Sequence, residues 1–134
     1  MARILLVEDD LDMRPLMEHI MLEHGYEVTV AESVVTATAL LDSQPYDLAI
    51  CDVILPDGSG LTVADRAKAA GVKALVVTGQ GLSLKPGSLA PYDYLLKPVR
   101  VPELLAGIER CLADKGGDAE VIQFPSWLTP PGNL

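Results

Sequence analysis

At 134 residues, 49% hydrophobic and 22% charged, the chain has the size and composition of one globular domain that can bury a core without disulfides or structural metals. Nineteen acidic residues against ten lysines and arginines give a formal charge of −9, which disfavours direct nucleic-acid binding and docking on anionic membranes, since both need a basic footprint. No apolar run approaches the roughly 18 residues of a spanning helix, and the four apolar residues between Arg3 and Glu8 are too few for a secretory leader, so a cytoplasmic location is expected.

Taken in order, the apolar pattern changes period repeatedly. Arg3-Ile4-Leu5-Leu6-Val7 is a short continuous apolar run, the mark of a strand buried on both faces. Met13, Leu16, Met17, Ile20 and Met21 recur at helical spacing, with Pro15 in the first turn and a stop at His24-Gly25. Residues 26–30 alternate as a strand nearer a sheet edge would, and Val34 to Leu41 is helical until Ser43-Gln44-Pro45. A second buried strand, Asp47 to Cys51, runs into turn formers at Pro56-Asp57-Gly58-Ser59-Gly60. Leu61 to Ala70 is an Ala-rich helix stopped by Gly71; Lys73 to Val77 and Tyr92 to Leu96 are strands. Val101 to Leu112 is the last helix, with Leu104, Leu105, Ile108 and Leu112 on one face. Cys51 and Cys111 each fall in such an apolar pattern and read as reduced core thiols.

Strand and helix alternate about five times, which implies right-handed crossovers onto one parallel sheet covered by helices on both faces. The expected fold is α/β, a flavodoxin-like doubly wound five-stranded (βα)5 sheet. Residues 79–91 hold Gly81, Pro86, Gly87 and Pro91, so the fourth helix is expected to be short, distorted or absent. The predicted domain covers 1–115, followed by a Pro/Gly-containing tail over 116–134. That tail carries Ile122, Phe124, Trp127 and Leu128, apolar enough to cover surface on this chain or on a homodimer partner.

Ligand sites in such sheets lie beyond the carboxyl ends of the strands. There the sequence places Glu8-Asp9-Asp10, Asp52, Thr78 and Lys97-Pro98, with Asp10 reading as a helix cap. Carboxylates gathered within a few ångströms repel one another and require a cation; oxygen ligands without His or Cys select Mg²⁺. A dinucleotide site is excluded, because the first turn lacks the glycines that admit a pyrophosphate. With Mg²⁺ in place a carboxylate becomes a nucleophile toward phosphorus. Asp52, ending the middle strand before a Gly-rich turn, is the expected acceptor, with Lys97 and the Thr78 hydroxyl placed to neutralise the transferred oxygens. His19 and His24 stand five residues apart, not on one helix face, and read as neither phosphodonor nor ligand.

Val7-Glu8-Asp9-Asp10, the run from Cys51 to Gly60 around Asp52, Thr78-Gly79 and Tyr94-Leu95-Leu96-Lys97-Pro98 together resemble the receiver domain of two-component response regulators, over about residues 2 to 114. The resemblance implies that Glu8 and Asp9 are the Mg²⁺-binding acid pair and that the backbone carbonyl of Ile54 completes the protein's ligands. It further implies that Asp52 is phosphorylated from a histidine kinase or histidine phosphotransfer protein. Thr78 and Lys97 would bind the phosphoryl group, and Tyr94 would be the aromatic that follows Thr78. The interval from Thr78 to Tyr94 is shorter than usual in the family, which bears on the output surface rather than on the metal chemistry. The expected output is contact with a downstream protein, without a DNA-binding module. Two other readings compete: a phosphorylation-independent adaptor with the same fold, and a Mg²⁺-dependent phosphatase. The phosphatase reading requires a second Asp two residues past the nucleophile, where this chain has Ile54.

Overall fold

The computed structural model describes residues 2–79 and 93–113. Its elements are β1 (Arg3–Val7), α1 (Met13–Glu23), β2 (Glu27–Ala31), α2 (Val34–Ser43), β3 (Leu48–Asp52), β4 (Ile54–Leu55), β5 (Gly58–Ser59), α3 (Gly60–Ala69), β6 (Lys73–Thr78), β7 (Asp93–Leu96) and α4 (Val101–Ala113). Five strands form one parallel sheet in the order β2-β1-β3-β6-β7, the doubly wound arrangement expected from the alternation. The segment expected to hold the fourth helix, from residue 80 on, and the tail lie outside the described residues.

The continuous apolar runs form the strands that are buried on both sides. Alternate residues feed two cores. Leu5, Val7, Ala49, Cys51 and Val76 pack under α2 and α3, while Ile4, Leu6, Leu48, Ile50, Leu75, Val77 and Leu95 pack under α1 and α4. β2 lies at the edge with three half-buried residues, in keeping with its alternating sequence. Both cysteines are buried free thiols, and burial pushes Cys51 up to about 12, so it stays protonated.

Local chemistry sets the helix ends. The Asp10 carboxylate accepts hydrogen bonds from the amides of Asp12 and Met13 (2.8 and 2.9 Å), so the cap that opens α1 is the one expected from the sequence. Those two bonds hold the Asp10 carboxyl below its usual value. α1 closes with Gly25 at φ +87° and the Tyr26 amide bonded back to Met21, a turn that a side-chain-bearing residue adopts reluctantly. His24 Nδ1 donates to the Ile20 carbonyl and His19 faces Glu23 at 3.4 Å, so both histidines are spoken for at the helix surface.

Two details differ from the sequence expectation. Residues 54–59, which take in most of the turn formers at 56–60, fold into a two-stranded antiparallel hairpin, β4 against β5. Leu16 is 53% exposed although it belongs to the apolar series of α1. The buried face is the narrower arc of Met17, Ile20 and Met21, and Leu16 stands at its margin.

Candidate functional site

Register builds the site. β1 and β3 run side by side with Val7 opposite Cys51, so the next residue along each strand, Glu8 and Asp52, meet at the carboxyl rim of the sheet. On the other side β6 and β7 pair Thr78 with Leu96, which brings Lys97 to the same rim, and the Lys97 amide donates to the Thr78 carbonyl at 2.9 Å. The following Lys97–Pro98 peptide is cis. Among the described residues, tyrosine and cysteine aside, the buried polar side chains are Glu8, Asp52 and Thr78, and all three lie here. Burying polar groups is costly unless they are paired, so their concentration at one rim singles it out.

Lys97 Nζ lies 3.0 Å from a Glu8 oxygen and 3.1 Å from a carboxylate oxygen of Asp52, bridging the two. The other Glu8 oxygen accepts from the Asp10 amide at 3.2 Å, and Asp52 Oδ1 accepts from the Ile54 amide at 3.3 Å. Glu8, Asp9 and Asp52 each offer an oxygen within 4.8 Å of the others, with Asp9 exposed at the mouth. Tyr94 is partly buried against the α2–α3 core, two positions before Leu96 on the same strand face, so it shares the Thr78 side of the sheet. The Ile54 side chain is exposed, and its backbone is what the site engages.

Three carboxylates against one ammonium leave an uncompensated negative site. Burial first, then the shared hydrogen bond and charge of Asp52, push Glu8 up to about 7, against the pull of Lys97. Burial alone would lower the Lys97 ammonium, but hydrogen bonds and charge from Glu8 and Asp52 outweigh it and hold Lys97 above the usual lysine value. An all-oxygen donor set with surplus negative charge and one member at the surface fits a hard divalent cation that keeps some of its waters, as Mg²⁺ does.

The raised Glu8 gives a pH prediction. Its carboxyl is neutral below about 7 in the metal-free fold, whereas an ordinary glutamate ionises near 4.5. The unfolded chain therefore loses this proton first. Stability from this group falls as pH rises from about 4.5 to 7, because ionising Glu8 adds charge to a crowded site. A divalent cation held by Glu8 would have to displace the proton, so its affinity would be about tenfold weaker at pH 6 than at pH 8 and would level off above. Calorimetric titration in two buffers of different ionisation enthalpy would show the released proton; a flat profile in the native chain would contradict the assignment.

Sequence reasoning missed Gly60. Its amide donates to the Val53 carbonyl at 2.8 Å, and a Cβ built there would stand 1.6 Å from the Asp52 carbonyl oxygen. Only a residue without a side chain lets α3 begin this close to the Asp52 backbone. Gly60→Ala should destabilise the fold by about 3 kcal/mol, the upper part of the overpacking range, because backbone rather than a flexible side chain must move. A urea midpoint unchanged from the native chain would refute this.

The comparisons agree with this geometry. Residues 4–109 match the response regulator receiver domain family. The receiver protein CpdR of Brucella abortus is 35% identical over 117 residues, covering 84% of this chain and 98% of CpdR. Several other curated relatives are longer, and the chain spans 24% to 57% of their length. Among solved structures, a CheY-like receiver domain from Methanospirillum hungatei superposes with a TM-score of 0.74 at 32% identity, covering 84% of this chain and 94% of that one. TrrA of Thermotoga maritima, solved with Mg²⁺ and beryllium fluoride, gives 0.75 at 31% identity, with 84% of this chain and all (100%) of TrrA covered. TrrA has also been solved in complex with the histidine kinase ThkA. The chain belongs to the receiver-domain family of two-component response regulators. Among the described residues no helix is long and apolar enough to cross a membrane.

Proposed function

We propose that the chain is a phosphoacceptor switch of a two-component phosphorelay, working in the cytoplasm and phosphorylated on Asp52. The observation that carries this reading is the Lys97 ammonium bridging the two buried carboxylates of Glu8 and Asp52, with Asp9 at the mouth. Glu8, Asp9, Asp52 and the Ile54 backbone carbonyl would hold Mg²⁺. Once bound, the ion neutralises the carboxylates and the phosphoryl oxygens they face.

The donor is a phosphohistidine of a histidine kinase or phosphotransfer protein, as the ThkA complex of the related TrrA suggests. An Asp52 carboxylate oxygen attacks phosphorus, a P–O bond forms as the P–N bond to imidazole breaks, and the imidazole keeps the electron pair and takes a solvent proton. Lys97 supplies a positive charge to the transferred oxygens, and the Thr78 hydroxyl supplies a hydrogen bond. The chain turns over no substrate beyond gain and loss of its own phosphate.

Phosphorylation replaces one negative charge by roughly two and adds three acceptor oxygens. Drawing Thr78 inward and letting Tyr94 follow would bias a two-state surface toward a downstream protein. Moving such an element from 1:99 to 99:1 takes about 5.5 kcal/mol, and a few charge-assisted hydrogen bonds of about 1.5–3 kcal/mol each reach that size. Incubation with acetyl phosphate should give a phosphorylated chain with Mg²⁺ and none with excess EDTA. Equal labelling in EDTA would overturn the reading.

A further inference from the structure

The hairpin that follows Asp52 is tied down by a residue outside the acid cluster. The Asp57 carboxylate, at the β4–β5 turn, accepts hydrogen bonds from the amides of Val34 (2.8 Å) and Val35 (3.0 Å), the first two of α2. Ser33 Oγ takes the Thr36 amide at 3.1 Å, and the Ser33 carbonyl takes that of Ala37 at 3.0 Å. Three of the orphan donors of this helix end are thus divided between a local cap and a carboxylate 22 to 23 residues away in sequence. Gly58 lies over Val34, where a Cβ would be 3.4 Å from Val34 Cγ2, and Leu55 is buried in the α2–α3 core.

The same junction also fastens the first acidic loop. The Glu8 amide donates to the Ala31 carbonyl at 3.0 Å, and Arg14 on α1 pairs with Glu32 at 2.5 Å. Residues 31–35 offer no ligand, yet both ligand-bearing loops are fixed to them. Between its anchor on α2 and the tight approach at Gly60, the segment 53–59 has little freedom. Within it lie the Ile54 amide on Asp52 and the Ile54 carbonyl.

We propose that Asp57 is a positioning residue: by clamping the post-Asp52 hairpin to the N-terminus of α2, it sets the distance between the Ile54 backbone and the Glu8–Asp9 loop, and hence the Mg²⁺ affinity of the site. The inference rests on the proposed Mg²⁺ site and adds a residue that touches neither the metal nor the phosphoryl group. Outer-shell partners of metal ligands typically carry about 10- to 100-fold in affinity. Asp57 acts one step further out, so the lower end applies.

The test compares Asp57→Ala with Ser33→Ala in the full chain. Ser33→Ala removes a cap from the same helix end but leaves the hairpin clamped. Asp57→Ala should weaken Mg²⁺ binding, read by calorimetry, by about tenfold, while Ser33→Ala leaves it close to that of the native chain. Without metal, amide hydrogen exchange at Ile54 and Gly60 should quicken in Asp57→Ala and not in Ser33→Ala. An unchanged Mg²⁺ affinity in Asp57→Ala, or an equal loss in both variants, would overturn the proposal and leave Asp57 a helix cap. A native chain that does not bind Mg²⁺ would overturn the functional reading and the metal half of this proposal together. The metal-free exchange data tell that case apart from failure of the clamp.

Discussion

Asp52→Asn should accept no phosphate from acetyl phosphate or a kinase, because the amide nitrogen replaces one of the carboxylate oxygens and the remaining carbonyl is a poor nucleophile. The substitution is nearly isosteric, so loss of fold does not explain the result. It also has a second, opposite-signed consequence. Asp52 is one of the groups that push Glu8 up, and removing its charge from beside Glu8 relieves the repulsion. The metal-free variant should therefore melt above the native chain at pH 8 and should lose much of the native response to Mg²⁺. Intact-protein mass spectrometry and thermal melts with and without EDTA read both effects. Undiminished labelling would remove Asp52 from its role.

Lys97→Met should show the converse. It deletes the cation that bridges Glu8 and Asp52 while leaving both carboxylates buried. Breaking a fully buried ion pair by removing one partner costs about 3–5 kcal/mol; the Lys97 side chain is 22% exposed, which discounts the figure to about 1–3 kcal/mol. At pH 8 in EDTA the thermal midpoint should fall by about 5–10 °C. The drop should shrink at pH 6, where Glu8 takes up a proton, and Mg²⁺ should restore part of it by binding only the folded state. Phosphorylation should slow by about 10²- to 10³-fold, the usual loss for one charge-stabilising donor at a reacting centre. A variant as stable as the native chain at both pH values would show that the bridge seen in the structure carries little.

Much of this was legible in the sequence because parallel strands obey simple rules. The continuous apolar runs at 3–7 and 47–51 read as strands covered on both faces. Once they are parallel neighbours, the residues that follow them meet at one rim. Glu8 and Asp52 were predictable as neighbours, and so was the arrival of Lys97 beside them. What lay beyond the sequence depends on contacts between distant segments. Asp57 sits in a Pro-Asp-Gly turn, where a carboxylate commonly satisfies its own backbone; its bonds to Val34 and Val35 follow from how the hairpin lies on α2. Gly60 reads as one more turn glycine, and only the crowding against the Asp52 carbonyl shows why nothing larger fits. The exposure of Leu16 is set by how far α1 rolls on the sheet, which the apolar period alone does not fix. The expected distortion of the fourth helix and the role of Phe124 and Trp127 fall outside the described residues.

The most direct measurement maps the phosphate itself. The chain is treated with acetyl phosphate and Mg²⁺ and reduced with borohydride, which converts an aspartyl phosphate to homoserine; the product is then sequenced by tandem mass spectrometry. The account predicts homoserine at position 52 alone, and none when Mg²⁺ is withheld. A reduced residue at another carboxylate, or the same mark formed without metal, would contradict it.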